Sequence, residues 1–114
     1  MNYKKFYNAV YPNQYNVEDS TLNVNYKNYK ATVNLSNSDD ACKLYNLLLS
    51  QINISDLDKE LLEARYNGEL NTLKSLSDEF KLSDSRIQQR LSRVIRKLKH
   101  PKNLCSCLIK FSER

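Results

Sequence analysis

The chain has 114 residues, 40% hydrophobic and 27% charged, which is enough apolar material for one small core but not for two domains. No apolar run approaches the roughly 20 residues of a membrane span, and the N-terminus lacks the apolar stretch of a signal peptide. We therefore expect a cytoplasmic protein that binds no membrane. Residues 85–112 contain 8 Lys and Arg and no Asp or Glu, whereas residues 1–84 contain 9 basic and 12 acidic residues. A basic block beside an acidic body indicates a polyanionic partner, with nucleic acid as the leading candidate.

Residues 1–36 are rich in Asn and Tyr and show no helical period of apolar residues. Apolar and polar residues alternate on both sides of Lys27-Asn28, which predicts a short β-hairpin. An isolated hairpin is only marginally stable in water. Two alternatives therefore stay open: an ordered hairpin that docks on the rest of the chain, or a flexible polar arm that can be removed without harm to a domain formed by residues 37–114.

A helical period begins after this segment. Apolar residues at helical spacing behind an acidic start predict a first helix over about 39–51. Ser55 is placed to cap a second helix, with Asp58 at the capping-box position. This helix is expected to end near Tyr66, because Gly68 accepts the left-handed conformation of a helix end.

Two further helices form a helix-turn-helix candidate. Thr72 can cap a third helix, and Ser83 can cap a fourth after a connection of about three residues. Phe80 of the third helix and Ile87 of the fourth are expected to anchor the two helices to each other.

The fourth helix has an apolar side and a polar side. At 100° per residue, one side carries Ile87, Leu91, Val94, Ile95 and Leu98. The other side carries amides, hydroxyls and cations, with Arg86, Arg90 and Lys97 as a stripe on its shoulder. Gln and Arg can bond to base edges in the major groove while Lys and Arg meet phosphates. The alternative is a solvated basic face on an ordinary bundle helix, but such helices usually mix both signs of charge.

The third and fourth helices carry a family resemblance. Residues 72–89 read TLKSLSDEFKLSDSRIQQ, residues 96–101 read RKLKHP, and residues 57–68 read LDKELLEARYNG. This stretch resembles region 4 of the bacterial sigma-70 family of RNA polymerase sigma factors. The family pattern is T-L-x-x-[IV]-x-x-x-F-x-[LV]-[ST]-x-x-R-[IV]-x-Q. Region 2, which a complete sigma factor also carries, has no counterpart here.

The resemblance implies an all-α, four-helix DNA-binding domain that contacts double-stranded DNA and the beta flap of RNA polymerase core. Family base contacts fall on Asp84, Ser85 and Gln89, of which only Gln89 keeps the family side chain. An Arg that reads guanine is replaced by Asp84 and a Glu that reads cytosine by Ser85, so the family's usual promoter sequence is not assumed. The full set of expected DNA-binding residues is Thr72, Asp84, Ser85, Arg86, Gln88, Gln89, Arg93, Arg96 and Lys97.

The leading functional prediction is a sequence-specific DNA-binding transcription regulator. The alternative is a protein-interaction module that binds RNA polymerase or an anti-sigma factor without binding DNA, which the loss of two base-reading side chains favours. An enzyme is not expected, because the single histidine, His100, precedes Pro101 as a helix terminator and no Gly-rich phosphate loop is present. The cysteines Cys42, Cys105 and Cys107 show neither zinc nor disulfide spacing. We accordingly expect no metal, no cofactor and no small-molecule substrate.

Overall fold

A computed structural model describes residues 1–68 and 71–112 of the chain. Over these residues it has six helices: α1 (Tyr3–Val10), α2 (Ser38–Ser50), α3 (Asp56–Arg65), α4 (Leu73–Phe80), α5 (Asp84–Leu98) and α6 (Pro101–Ser112). Strands β1 (Tyr15–Asn16), β2 (Thr21–Tyr26) and β3 (Tyr29–Asn34) form one antiparallel sheet in the order β1-β2-β3. The helical prediction is confirmed in part, but the fold is neither all-α nor limited to four helices.

The four predicted helices correspond to α2, α3, α4 and α5. Their predicted caps are observed for the last three, where Ser55, Thr72 and Ser83 each accept a hydrogen bond from the backbone N–H three residues later. Helix α2 begins at Ser38, one residue before its predicted start, and is capped by the side chain of Asn37. Gly68 follows α3 with a φ of +62°, the left-handed conformation expected there.

The predicted hairpin is present as strands β2 and β3. Tyr26 pairs with Tyr29 next to the turn, and Lys27 adopts a positive φ of 53°. On β2, Leu22 and Val24 are buried while Asn23 and Asn25 are exposed, the alternation of a sheet with one covered face.

Helix α1 contradicts the prediction that residues 1–36 lack helical structure. Asn2 caps it, and Phe6, Tyr7 and Val10 are at most 1% exposed. These side chains form one hydrophobic core together with those of α2, α3, α5 and α6. The apolar pattern of this helix is too short to be recognised in the sequence, because the helix spans only eight residues and lies among asparagines, which favour turns.

Helix α6 was not predicted, since Pro101 was interpreted as the end of the preceding helix. Helix α5 does end at Leu98, but Pro101 is the first residue of α6, where its missing N–H costs no hydrogen bond. His100 Nδ1 accepts a bond from the Lys102 N–H at 3.2 Å, so the histidine helps to start the new helix. Helix α6 then packs against α2 and β2.

The helix-turn-helix core is centred on Leu76 and Ile87, which are 1% and 0% exposed. Phe80, expected to be the anchor of α4, is only half-buried at the edge of the core. The turn that follows is closed by a hydrogen bond from the Ser77 hydroxyl to the Leu82 carbonyl. Lys81 ends α4 in the left-handed conformation, with φ 56° and ψ 41°, at a position where glycine is free of strain.

A truncated chain that begins at Asn37 tests whether residues 1–36 are needed for folding. We expect it to lose the cooperative thermal transition of the full chain, because the core would lose Phe6, Tyr7, Val10 and Tyr11. Circular dichroism during heating measures this.

Two point variants give the matched comparison. Phe6→Ala should lower the free energy of unfolding by about 3–5 kcal/mol, and Lys5→Ala, next to it on the exposed side of α1, by less than about 0.5 kcal/mol. If the truncated chain melts as sharply as the full chain, residues 1–36 are not needed for folding, as the flexible-arm alternative holds.

Candidate nucleic-acid interface

The exposed side of α5 is polar and cationic. Its buried side consists of Ile87, Leu91, Val94 and Leu98, with Ile95 half-buried at the margin, as the sequence predicts. A shallow groove on the opposite side is lined by α5 residues alone: Ser85, Gln88, Gln89, Ser92, Arg93 and Arg96. Five of these six were predicted as DNA-binding residues. Ser92 lies alongside them at helical spacing but was not assigned a contact.

Several side chains of this groove are available for an intermolecular contact. Within the described residues, Gln89, Arg93 and Arg96 are exposed and have no side-chain hydrogen bond or ion pair. Their amide and guanidinium groups therefore keep their full capacity for bonds to base edges or phosphates.

The first turn of α5 carries a negative charge. Asp84 follows the Ser83 cap and is exposed, where a carboxylate is favourable beside the positive end of the helix. The same charge lies next to Ser85, at the end of the helix where base contacts are expected. The Asp84 carboxylate repels a second anion close to it, so Asp84 is an unfavourable neighbour for a DNA phosphate.

Thr72 lies outside the α5 groove, at the N-terminus of α4. Its side-chain oxygen accepts a hydrogen bond from the Ser75 N–H at 3.1 Å, and the residue is exposed. The hydroxyl proton is still available for donation. Thr72 is thus both a helix cap and an exposed donor at a helix N-terminus.

Two cations of the predicted shoulder stripe have partners within the protein. Arg90 Nη1 lies 3.0 Å from Asp58 Oδ1, and the two side chains are 30% and 11% exposed. Lys97 Nζ donates to the Asn53 carbonyl at 2.8 Å, although the residue as a whole is exposed. The Asp58 carboxylate therefore pairs with Arg90, a different role from the capping box predicted for it. Leu91, next to Arg90 in the sequence, is buried, as its place on the apolar side predicts.

Chemically reactive groups do not gather at this surface. In the described parts of the chain, no three His, Cys, Asp or Glu side chains are grouped so as to hold a metal ion. Burial raises the pKa of the Cys107 thiol to about 11, so this cysteine stays protonated at neutral pH. None of the helices in residues 1–68 and 71–112 is long and apolar enough to cross a membrane.

Residues 53–100 match the family model described as sigma-70, region 4. The match confirms the resemblance noted in the sequence: over α3, α4 and α5 the chain is similar to sigma-70 region 4. Sigma-70 region 4 is a DNA-binding regulatory domain and not an enzyme family. No curated protein and no solved structure matches the chain significantly.

Two arginine variants separate the structural cation from the exposed one. Arg90→Met should lower the free energy of unfolding by about 1–3 kcal/mol, because it leaves the mostly buried Asp58 carboxylate without its partner. Arg93→Met removes an exposed side chain, so its effect should stay within about 0.5 kcal/mol. Urea unfolding of both variants measures the difference. Equal destabilisation by the two would show that the Asp58–Arg90 pair does not stabilise the fold.

Proposed function

We propose that this protein is a sequence-specific DNA-binding transcription regulator that inserts α5 into the major groove of promoter DNA and acts together with RNA polymerase. The observation that carries the proposal is the exposed side of α5, where Gln and Arg side chains line a groove and no carboxylate follows Asp84. A helix with this composition offers both groups that read bases and groups that bind phosphates.

Gln89 is the central reading residue of the proposal. Its amide can accept from and donate to the two adenine atoms exposed in the major groove, a pairing that no other base reproduces. Asp84 has the opposite chemistry from the family's arginine, because a carboxylate repels the two acceptor atoms of guanine. The preferred site is therefore expected to differ from the family's usual promoter sequence at the base that Asp84 faces.

The contacts that hold the DNA backbone come from both helices of the motif. Four cationic side chains surround the reading residues on α5 and can neutralise phosphates: Arg86, Arg93, Arg96 and Lys97. Thr72 supports a further phosphate contact, since its hydroxyl and the N-terminal end of α4 are both exposed donors.

The polymerase part of the proposal rests on the family, whose members interact with RNA polymerase in general. We propose the beta flap of the core enzyme as the docking site. A pull-down with core polymerase tests this, and retention of a beta subunit that lacks its flap would refute the proposed site.

A second candidate is a protein-interaction module that has lost DNA binding. The acidic Asp84 and the short Ser85 at the reading end of α5 favour it. Binding to a random-sequence duplex at low salt distinguishes the two candidates, since non-specific binding depends on cations and not on base contacts. Absence of any binding would refute the DNA-binding proposal and favour the second candidate.

Gln89→Ala and Lys97→Ala should differ in kind. Loss of the Gln89 amide should weaken binding to a selected preferred duplex by about 1–3 kcal/mol and leave random DNA almost unaffected. Loss of the Lys97 charge should weaken binding to all duplexes and reduce the slope of log affinity against log salt by about one unit. Fluorescence anisotropy over a range of salt concentrations measures both effects.

Lys43→Ala is the matched control, because it removes one exposed cation from α2 and not from α4 or α5. Its salt slope should equal that of the wild type. If Gln89→Ala and Lys97→Ala weaken every duplex equally and with the same slope, α5 lies across the backbone and the proposed groove contact is wrong.

A further inference from the structure

The C-terminal end of α5 is bonded to side chains from outside the family-matched segment. The Tyr11 hydroxyl donates to the Leu98 carbonyl at 2.7 Å, and the Asn103 amide donates to the Lys97 carbonyl at 3.1 Å. The last carbonyls of a helix lack partners within it. The Tyr11 hydroxyl supplies a partner for the Leu98 carbonyl, while the Lys97 carbonyl also accepts from the His100 N–H at 3.5 Å. Tyr11 is 2% exposed and Leu98 is 0% exposed, which shields their bond from water.

Tyr11 is itself held in place. It ends α1, where its N–H donates to the Tyr7 carbonyl at 2.8 Å and its own carbonyl accepts from the N–H groups of Gln14 and Tyr15. Burial raises the pKa of the Tyr11 phenol, so the hydroxyl keeps its proton and remains a donor well above neutral pH.

The other end of α1 is bonded to the end of α3. The Asn2 N–H donates to the Tyr66 carbonyl at 2.6 Å, and the Asn2 side-chain amide donates to the Gly68 carbonyl at 2.9 Å. Helix α1 has eight residues, which corresponds to a length of about 12 Å. It therefore links the C-terminal ends of two helices of the region 4 domain, although α1 itself lies outside the match.

We propose that Tyr11 is a positioning residue for the DNA-facing helix, and that α1 is a brace that sets the tilt of α5 relative to α3. The inference rests on the proposed function of α5. This helix has 15 residues, a length of about 22 Å, and Ser85 and Gln89 lie towards the end opposite Leu98. A small change of tilt at Leu98 is therefore enlarged at the residues that read bases.

Tyr11→Phe and Tyr7→Phe form a matched pair of variants. Tyr7 also donates its hydroxyl to a backbone carbonyl, that of Ala41 in α2, at 2.6 Å, and it is as deeply buried as Tyr11. Each variant keeps the ring and removes one hydroxyl. The Ala41 carbonyl lies inside α2 and keeps the bond of its own helix, whereas the Leu98 carbonyl lies at the end of α5 and loses its donor. Both variants should lower the Tm, and only Tyr11→Phe affects the end of α5.

The first measurement is affinity for a duplex selected from a random pool with the wild-type protein. Tyr11→Phe should bind it about three- to tenfold more weakly than Tyr7→Phe, the factor that one hydrogen bond is typically worth. Affinity for random DNA, which is governed by charge, should be the same in both. Equal affinities of the two variants for the selected duplex would overturn the inference.

The second measurement is backbone amide hydrogen exchange in the DNA-free protein. Tyr11→Phe should speed exchange in the last turn of α5 and the first turn of α6, whereas Tyr7→Phe should speed it in the first turns of α2. The same exchange pattern in both variants would overturn the inference that α1 sets the tilt of α5. If the wild type binds no duplex but the exchange patterns differ as stated, the proposed DNA function is refuted and the brace is supported.

Asn103→Ala is the second variant if Tyr11→Phe does not fold. Its bond to the Lys97 carbonyl is exposed, so the core should survive its loss. It should weaken binding to the selected duplex and speed exchange at the end of α5, in the same directions as Tyr11→Phe. An unchanged affinity with unchanged exchange would overturn the inference.

Discussion

Burial of one side of α5 determines which of its side chains reach solvent. Ile87, Leu91, Val94 and Leu98 recur at spacings of three and four residues and are 0–6% exposed. Burying each such side chain stabilises the fold by about 1.5–3 kcal/mol, so a rotation of the helix that exposed all four would cost most of a small domain's stability. With its rotation fixed in this way, α5 presents its amides and cations on the outer side.

Burial fixes the rotation of α5 but not its tilt or its position along its axis, which depend on directional bonds. These come from four places in the chain: Asp58 bonds to Arg90 at mid-helix, and the Asn53 carbonyl, the Tyr11 hydroxyl and the Asn103 amide bond to the C-terminal end. Asp58 and Asn53 lie within the segment that matches the family, and Tyr11 and Asn103 lie outside it. Arg90 therefore contributes to the structure with its charge paired to Asp58, so the 8 basic residues of 85–112 overstate the charge available to DNA. Lys97 bonds to a neutral carbonyl and keeps its charge.

Features that depend on neighbouring residues could be predicted from the sequence. The caps at Ser55, Thr72 and Ser83 and the two sides of α5 follow from a few residues each, and so does the set of side chains that lines the groove. Helix α1 could not be recognised in this way, since its stability comes from partners far along the chain. Its Tyr11 hydroxyl, for example, bonds to a carbonyl 87 residues away.

Two other predictions were wrong because the local sequence pattern allows more than one structure. Pro101 is ambiguous, because proline both follows helix ends and opens new helices. The capping box was predicted at Asp58 from its spacing to Ser55, but in the structure this carboxylate pairs with the Arg90 guanidinium, 32 residues away. The prediction that Lys97 lies on the exposed side is correct. Its bond to the Asn53 carbonyl could not be predicted, because the two residues are 44 positions apart in the sequence.

The outer side of α5 is the surface that we propose meets DNA. Mapping amide chemical-shift changes in the wild-type protein as a short duplex is added tests this proposal. We expect the largest changes along α5 from Ser85 to Arg96, with a second group near Thr72, and the smallest changes in the β2–β3 hairpin. Largest changes on the hairpin or on α6, with α5 unaffected, would contradict the proposal.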